Sequence, residues 1–269
     1  MAEVAAGAGS VHAVPPGPPL LSFDGEGRAT LTLNRPQHLN RLHREDLMAL
    51  QAHIQQVAAD PAVRVLVITA TGRAFCAGFN LDELKQADAA GQDPQLFERT
   101  VDALEALRVP TIARLNGGVY GGATDLALAC DFRIGVQGMA LRMPAVRLGL
   151  HYYPSGLQRF VSRLGLANAK RLFLLGQTHT DTDLLQMGYL DALVPAEALS
   201  AHVDTLVSEL RAGAPLAMAG MKQSLNEIAE GRLDVPRIRA REAVCAASDD
   251  LQEGLRAQAA RRTPVFTGR

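Results

Sequence analysis

Hydrophobic residues recur along this chain at two spacings, one typical of strands and one typical of helices. Residues 29–33 alternate between polar and apolar side chains, and residues 63–70 form a dense β-branched run. Both patterns predict strands, the second buried on both faces. Between them, apolar residues at helical spacing predict an amphipathic helix over residues 44–59: Leu47, Leu50, Ile54 and Val57. This order of strand, helix and strand predicts a parallel crossover unit.

The same pattern continues to about residue 195 and then changes. Further strands are predicted at residues 111–115 and 131–136, and helices at residues 82–86, at residues 94–108 and after Ser155. Four helices without a strand follow at residues 196–212, 215–230, 236–247 and 249–262. We therefore expect a disordered tail rich in Ala, Gly and Pro over residues 1–19, an α/β core over residues 20–195, and a helical region that makes subunit contacts over residues 196–269.

Composition narrows the class of function. The chain has 269 residues and a net charge of −1 without a basic cluster, so we expect no nucleic-acid partner. No apolar run is long enough to span a membrane, and the first residues lack the pattern of a signal peptide. Three cysteines without a paired spacing, Cys76, Cys130 and Cys245, fit a reduced, cytoplasmic compartment, and no metal-binding spacing is present.

Candidate chemistry concentrates in residues 116–125, where a predicted strand passes through four glycines into a helix. Glycine lets the backbone turn sharply and approach a ligand closely. Gly122 would present an unpaired N–H at the positive end of the helix dipole, with Asp125 three residues later on the same face. This arrangement suits proton transfer beside an enolate. The alternative is an ordinary turn in which Asp125 caps backbone amides, and the stretch alone leaves both open.

A series of motifs, in order, carries a family resemblance over about residues 20–269. They include Leu-Asn-Arg-Pro at residues 33–36, Gly-Arg-Ala-Phe-Cys-Ala-Gly at residues 72–78 and the glycine stretch through residues 130–131. Residues 39–40, 188–195, 214–217 and 262–269 add further matches. By these motifs the chain resembles the crotonase superfamily, which is the enoyl-CoA hydratase/isomerase family.

The resemblance implies an α/β fold in which repeated ββα turns form a spiral, followed by a C-terminal helical trimerisation region in a homotrimer or a dimer of trimers. It also implies that two backbone amides, which fall on Ala77 and Gly122, form an oxyanion hole for an acyl-CoA thioester. The first catalytic carboxylate falls on Asp125, where hydratases carry a glutamate, and the second falls on Ala145. The implied substrate- and CoA-binding residues are His38, Leu39, Ala77, Gly78, Phe79, Asn80, Leu81, Gly121, Gly122 and Arg261.

The exact reaction stays undecided at this point. Hydration needs one group to activate water and one to deliver a proton, and Ala145 can do neither. Isomerisation needs a single shuttling base, and decarboxylation needs little beyond the hole. Residues 148–152 resemble a loop of methylmalonyl-CoA decarboxylase, whose active-site tyrosine falls on Tyr152. We expect a lyase or isomerase of this family with Asp125 as the single acid–base carboxylate and no cofactor beyond the coenzyme A of the substrate. A decarboxylase-like enzyme and a non-catalytic acyl-CoA-binding protein are the alternatives.

Overall fold

The computed structural model describes residues 15–83 and 93–269, and the strands within them form two sheets. The strands are Leu20–Phe23 (β1), Arg28–Leu33 (β2), Val65–Ala70 (β3), Ala74–Cys76 (β4), Thr111–Leu115 (β5), Gly118–Tyr120 (β6), Phe132–Val136 (β7), Ala140–Arg142 (β8), Thr178–Thr180 (β9) and Ala192–Val194 (β10). The larger sheet has the order β1-β2-β3-β5-β7-β10, and the smaller has the order β4-β6-β8-β9. Neighbours are parallel except for the antiparallel pairs β1–β2 and β8–β9.

The helices lie close to the predicted positions, except that the helix at Asp181–Gln186 was not predicted. They are Arg44–Ala59 (α1), Leu96–Glu105 (α2), Ala123–Leu128 (α3), Pro154–Leu175 (α4), Asp181–Gln186 (α5), Leu199–Arg211 (α6), Pro215–Ala229 (α7), Val235–Ala246 (α8) and Asp249–Ala259 (α9). The predicted bounds of α1 are confirmed, and the expected C-terminal helices are present as α6 to α9. Of the helix predicted at residues 82–86, residues 82 and 83 are helical and the rest lies outside the described residues. No helix in the described ranges is both long and apolar enough to cross a bilayer.

Three successive turns of the chain each place one strand in the larger sheet and the next strand in the smaller one. The strand pairs are β3 with β4, β5 with β6, and β7 with β8, and they are followed by α2, α3 and α4 in turn. Parallel register carries the chain from one turn to the next, because Ile68 pairs with Ala113 and Ala113 pairs with Arg133. The predicted spiral of ββα turns is therefore confirmed.

The hydrophobic pattern explains the larger sheet but not the smaller one. The β-branched run of β3 is buried at the centre of the larger sheet, and α1 turns its apolar stripe into the same core. By contrast, β4, β6 and β8 contain three residues each, which is too short to show a period of two. They form a sheet because the longer strands before them align their backbones.

The N-terminal boundary differs from the prediction. The Gly17 N–H donates to the carbonyl oxygen of Asn34 at 2.8 Å, and the Asn34 side-chain amide donates to the carbonyl oxygen of Pro15 at 2.9 Å. His53 on α1 lies 2.9 Å from the carbonyl oxygen of Pro19. Residues 15–19 are thus held against β2 and α1 rather than belonging to a tail. The remainder of the predicted tail lies outside the described residues.

Candidate active site

Two glycine-containing loops meet beside the smaller sheet. One follows β4 and contains Gly78; the other follows β6 and contains Gly121 and Gly122. Gly78 has a φ of 91°, and a Cβ added there would lie 2.7 Å from the Tyr120 carbonyl oxygen and 3.3 Å from the Gly122 nitrogen. Glycine is therefore required at residue 78, because a side chain would be strained and would collide with backbone. Parallel pairing of β4 with β6 holds the two loops side by side.

The amide hydrogens of the two loops decide which residues can bind an anion. The Ala77 N–H donates to the carbonyl oxygen of Leu39 at 2.9 Å, so the fold itself occupies it. This bond corrects the prediction that Ala77 supplies the first amide of the oxyanion hole. The N–H groups of Phe79 and Gly122 donate to no backbone carbonyl in the part of the chain that the structure describes. Both residues line the same cavity, which makes Phe79 the candidate first donor.

Extended backbone geometry explains why Phe79 differs from its neighbours. The Gly78 carbonyl oxygen accepts from the Leu42 N–H, and the Asn80 N–H donates to the Leu42 carbonyl oxygen, both at 2.8 Å. In extended chain, alternate residues direct their N–H groups to opposite sides. The N–H of Phe79 consequently faces away from Leu42 and is left without a partner from that segment. Residue spacing alone does not show which amide this will be.

The cavity beside the two loops has a volume of about 330 Å³ and is lined mainly by apolar and aromatic side chains. It brings together these predicted site residues: Ala77, Gly78, Phe79, Leu81, Gly121, Gly122 and Tyr152. Other predicted site residues are not part of its lining: His38, Leu39, Asn80, Asp125 and Arg261. The Asn80 amide instead contacts the carboxylate of Glu83 at 3.3 Å. Arg261 lies just beyond the end of α9 and is exposed.

Asp125 lies behind the cavity wall. Its side chain is fully buried, and its Oδ2 accepts hydrogen bonds from the Tyr153 hydroxyl at 2.5 Å and from the Arg159 guanidinium at 2.6 Å. Burial raises the pKa of Asp125, while the charge and hydrogen bond of Arg159 oppose that rise. Its Oδ1 has no partner within the described ranges. Tyr153 lines the cavity and Asp125 does not, so the Tyr153 side chain lies between a ligand there and the carboxylate.

Tyr153 connects Asp125 with the cavity. Its ring stacks on that of Tyr152 with a centroid distance of 4.3 Å, and the Tyr152 hydroxyl donates to the Tyr153 hydroxyl at 3.3 Å. Burial and the neighbouring carboxylate of Asp125 raise the pKa of the Tyr153 phenol far above its ordinary value, so the phenol stays protonated. The resemblance pointed to Tyr152 and passed over Tyr153. The signal available in the sequence was its place directly before Pro154, the first residue of α4.

Two further residues of the cavity wall, Ala145 and Glu98, differ in whether they can transfer a proton. Ala145 lines the cavity and offers no acid or base. Glu98 adds a carboxylate to the same wall. It lies on α2, a helix that the sequence predicts from its apolar residues alone. No sequence motif marks it. Among the residues that the structure describes, no group of three or more His, Cys, Asp or Glu side chains is placed to hold a metal ion.

Similarity to known proteins covers nearly the whole chain. The family model described as enoyl-CoA hydratase/isomerase matches residues 25–269. The chain is 32% identical over 245 residues to the 2,3-dehydroadipyl-CoA hydratase of Escherichia coli (strain K12), covering 89% of this chain and 94% of that protein. It is 30% identical over 259 residues to the 1,2-epoxyphenylacetyl-CoA isomerase of the same strain, covering 93% and 98%. The crystal structure of an enoyl-CoA hydratase from Bacillus anthracis superposes with a TM-score of 0.86 at 26% identity, covering 94% and 100%.

Proposed function

The chain belongs to the enoyl-CoA hydratase/isomerase family, and from this premise we propose that it stabilises the enolate of an acyl-CoA thioester between the N–H groups of Phe79 and Gly122. The observation that carries this proposal is the pair of unoccupied amides on two adjoining loops of one cavity. The close approach of the two loops at Gly78 and Gly122 supports it, because it brings the two donors to the same part of the cavity.

Such a pair of donors acts on the charge that develops during the reaction. When a proton leaves the α carbon of a thioester, or a nucleophile adds at the β carbon, negative charge moves onto the carbonyl oxygen. Fixed backbone donors stabilise this oxygen without reorganising, and removal of one donor typically raises the barrier by about 3 kcal/mol. The apolar lining of the cavity strengthens this interaction, since it keeps the local dielectric low.

In this proposal Asp125 does not contact the substrate and acts through Tyr153. Its carboxylate fixes the Tyr153 hydroxyl at 2.5 Å, and Arg159 fixes the carboxylate in turn. Because the Tyr153 proton is committed to Asp125, the phenol oxygen offers its lone pairs to the cavity. There it accepts a hydrogen bond from a bound water or from the hydroxyl of Tyr152. Asp125 is then a positioning residue, and the single acid–base carboxylate of the mechanism must be sought elsewhere in the wall.

The substrate class follows from the two halves of the site. The amides require a thioester or similar carbonyl, and the apolar wall accommodates an acyl chain. The relatives named above include a 2,3-dehydroadipyl-CoA hydratase and an isomerase, which supports hydration or double-bond isomerisation of an enoyl-CoA here. Contacts of His38, Leu39, Asn80 and Arg261 with the coenzyme A moiety stay predictions.

A second candidate function rests on Ala145. An alanine in the wall, where the resemblance implies the second hydratase glutamate, favours either decarboxylation of a malonyl-type thioester or binding of an acyl-CoA without turnover. Tyr152, in the wall at a position that resembles a decarboxylase tyrosine, supports the first of these.

Self-association is part of the same proposal. Residues 196–269 make the contacts of a homotrimer or a dimer of trimers, and residues 20–195 hold the acyl-CoA site. Supporting this division, α7 carries exposed apolar side chains at Met221, Leu225 and Ile228, and α9 carries Leu255. Sedimentation equilibrium of the purified chain checks the assembly. A cytoplasmic location stays a prediction from the cysteines.

The deciding experiment uses a panel of acyl-CoA thioesters. Saturated, 2-enoyl, 3-enoyl and malonyl-type thioesters are incubated with the protein in D₂O, and products and deuterium at the α carbon are measured by mass spectrometry. Hydration, isomerisation or α exchange supports the enolate proposal. Tight calorimetric binding with no product and no exchange supports the non-catalytic alternative. Neither binding nor turnover across the whole panel overturns both.

A further inference from the structure

A line of polar contacts joins α2 to α4. Three acidic residues of α2 at helical spacing, Glu98, Asp102 and Glu105, face polar residues of α4. Glu98 accepts a hydrogen bond from the Ser155 hydroxyl at 3.1 Å. Further along, Arg159 lies 2.7 Å from Asp102 and 2.9 Å from Glu105. The partner of Glu98 is therefore a hydroxyl, whereas the partner of Asp102 and Glu105 is a guanidinium group.

Glu98 is the member of this line that reaches the acyl-CoA cavity. It lines the cavity with Phe79 and Gly122, whereas Asp102 and Glu105 lie outside the lining. It has no cationic partner within residues 15–83 and 93–269, and only the Ser155 hydroxyl is within bonding distance there. A half-buried carboxylate facing an apolar wall without a counter-charge costs stability. Residues whose placement lowers the stability of a fold are often found at functional sites.

The helix that carries Glu98 also packs on the proposed oxyanion hole. Phe97, the preceding residue, lies so close to Gly122 that a Cβ added at residue 122 would be 2.7 Å from Phe97 Cζ. The centroid of the Phe97 ring also lies 6.0 Å from the ring centroid of Tyr153 and 6.1 Å from that of Phe79. Glu98 is thus fixed on the helical turn that contacts both proposed donors and the tyrosine held by Asp125.

We propose that Glu98 is the acid–base carboxylate of this cavity and exchanges protons with the substrate directly. This inference rests on the proposed function, and it assigns the chemistry to a residue of α2 rather than to Asp125 or residue 145. Ser155 is its positioning residue. The two faces of the cavity then have separate tasks, since the amides hold the thioester oxygen while Glu98 and the Tyr153 oxygen hold the proton-transferring group or water.

One carboxylate is enough for both reactions, because the proton that it takes is the proton that it returns. In hydration, Glu98 takes a proton from water, the water oxygen bonds to the β carbon, and the double-bond electrons move through the α carbon into the enolate. The protonated Glu98 then gives the same proton to the α carbon, which restores the carbonyl and the carboxylate. In isomerisation, Glu98 takes a proton from the α carbon and returns it to the γ carbon. Neither sequence needs a further reactant.

Glu98→Gln tests this assignment, because it keeps the shape and removes the base. The matched control is Asp204→Asn, which removes one carboxylate from an exposed position on α6 that pairs with Arg28. General acid–base catalysis contributes about 10²–10⁴-fold. We therefore expect Glu98→Gln to lower kcat on the best substrate of the panel by at least about 100-fold, with the acyl-CoA Kd close to that of the control. Glu98→Asp should retain an intermediate rate.

Chemical rescue separates catalysis from a structural role. Glu98→Ala leaves space for a small acid, so added sodium formate should raise its turnover in a saturable manner, while equal sodium chloride should not. Full activity of Glu98→Gln relative to Asp204→Asn would overturn this inference while the proposed function stands. Wild-type protein that neither turns over nor exchanges any thioester would overturn the proposed function, and the assignment of Glu98 with it.

Discussion

The Tyr153 hydroxyl donates a hydrogen bond to Asp125 Oδ2 over 2.5 Å, and this contact separates the buried carboxylate from the cavity. Arg159 holds the same oxygen at 2.6 Å. We therefore expect the Asp125 carboxylate to act on a ligand through the Tyr153 phenol. The consequence is a division between a fixed Asp125–Tyr153 pair and the groups that touch the substrate.

Removing the hydroxyl of Tyr153 should lower both stability and activity. A hydrogen bond to a charged group contributes about 1.5–3 kcal/mol, so we expect Tyr153→Phe to lower the free energy of unfolding by about that amount and to lower kcat. Urea unfolding and steady-state kinetics measure the two effects. Tyr152→Phe is the comparison, because its hydroxyl contact is longer at 3.3 Å. Equal losses in the two variants would contradict the special role of Tyr153.

Neutralising Asp125 should destabilise the fold more than neutralising an exposed carboxylate. Breaking a buried ion pair from one side costs about 3–5 kcal/mol when the remaining charge is uncompensated. Arg159 keeps Asp102 and Glu105 as partners, so we expect a smaller loss, about 1–3 kcal/mol, for Asp125→Asn. Chemical denaturation with Asp204→Asn as control checks this. A loss no larger than that of the control would mean that the buried pair contributes nothing.

A pair of substitutions at Gly122 should isolate the contribution of its N–H. Gly122→Ala keeps the N–H but adds a Cβ near Phe97. Gly122→Pro adds a Cβ there as well and replaces the amide hydrogen with the ring Cδ. The native φ of −57° suits proline. We expect both to lose activity, with Gly122→Pro lower by a further factor of about 10²–10³. Circular dichroism confirms folding, and indistinguishable kcat values would remove this amide from the hole.

Acid should weaken the contact between α7 and α8. Hydrogen bonds from Arg241, at 2.7 and 2.8 Å, lower the pKa of Glu227 from 4.5 to about 2. A depressed folded-state pKa gives a stabilising contribution that is present above pH 4.5 and is lost as pH falls toward 2. Thermal unfolding of Glu227→Gln and wild type should therefore converge over that range. Glu242→Gln, at an exposed carboxylate of α8, is the control for the loss of one acidic side chain.

Two of the cysteines should be chemically inert in the native protein. Burial raises the pKa of Cys76 and of Cys130 to about 12, and the Cys76 thiol donates to the Asn40 carbonyl oxygen at 3.0 Å. Thiolate is the reactive form, so an aromatic disulfide reagent should leave both unmodified at neutral pH until denaturant is added. Cys245→Ser removes the half-buried third thiol. Rapid labelling of that variant without denaturant would contradict the burial of the other two.

The sequence by itself determined the elements whose hydrophobic pattern is long enough to have a period. The bounds of α1 and of β5 follow from apolar spacing, since each buries one stripe or one run against the core. The glycine at residue 78 was also determined locally, because its φ of 91° is one that other residues rarely adopt. Family membership followed from motifs of this kind.

Only the tertiary structure decided which groups face a ligand. The Ala77 amide is occupied because the Leu39 carbonyl lies beside it, and the Phe79 amide is unoccupied because alternate residues pair with Leu42. Asp125 is withdrawn because Arg159, 34 residues later in the chain, lies against it, and Glu98 reaches the cavity because α2 packs beside Gly122. These are contacts between residues distant in sequence, which no local spacing encodes.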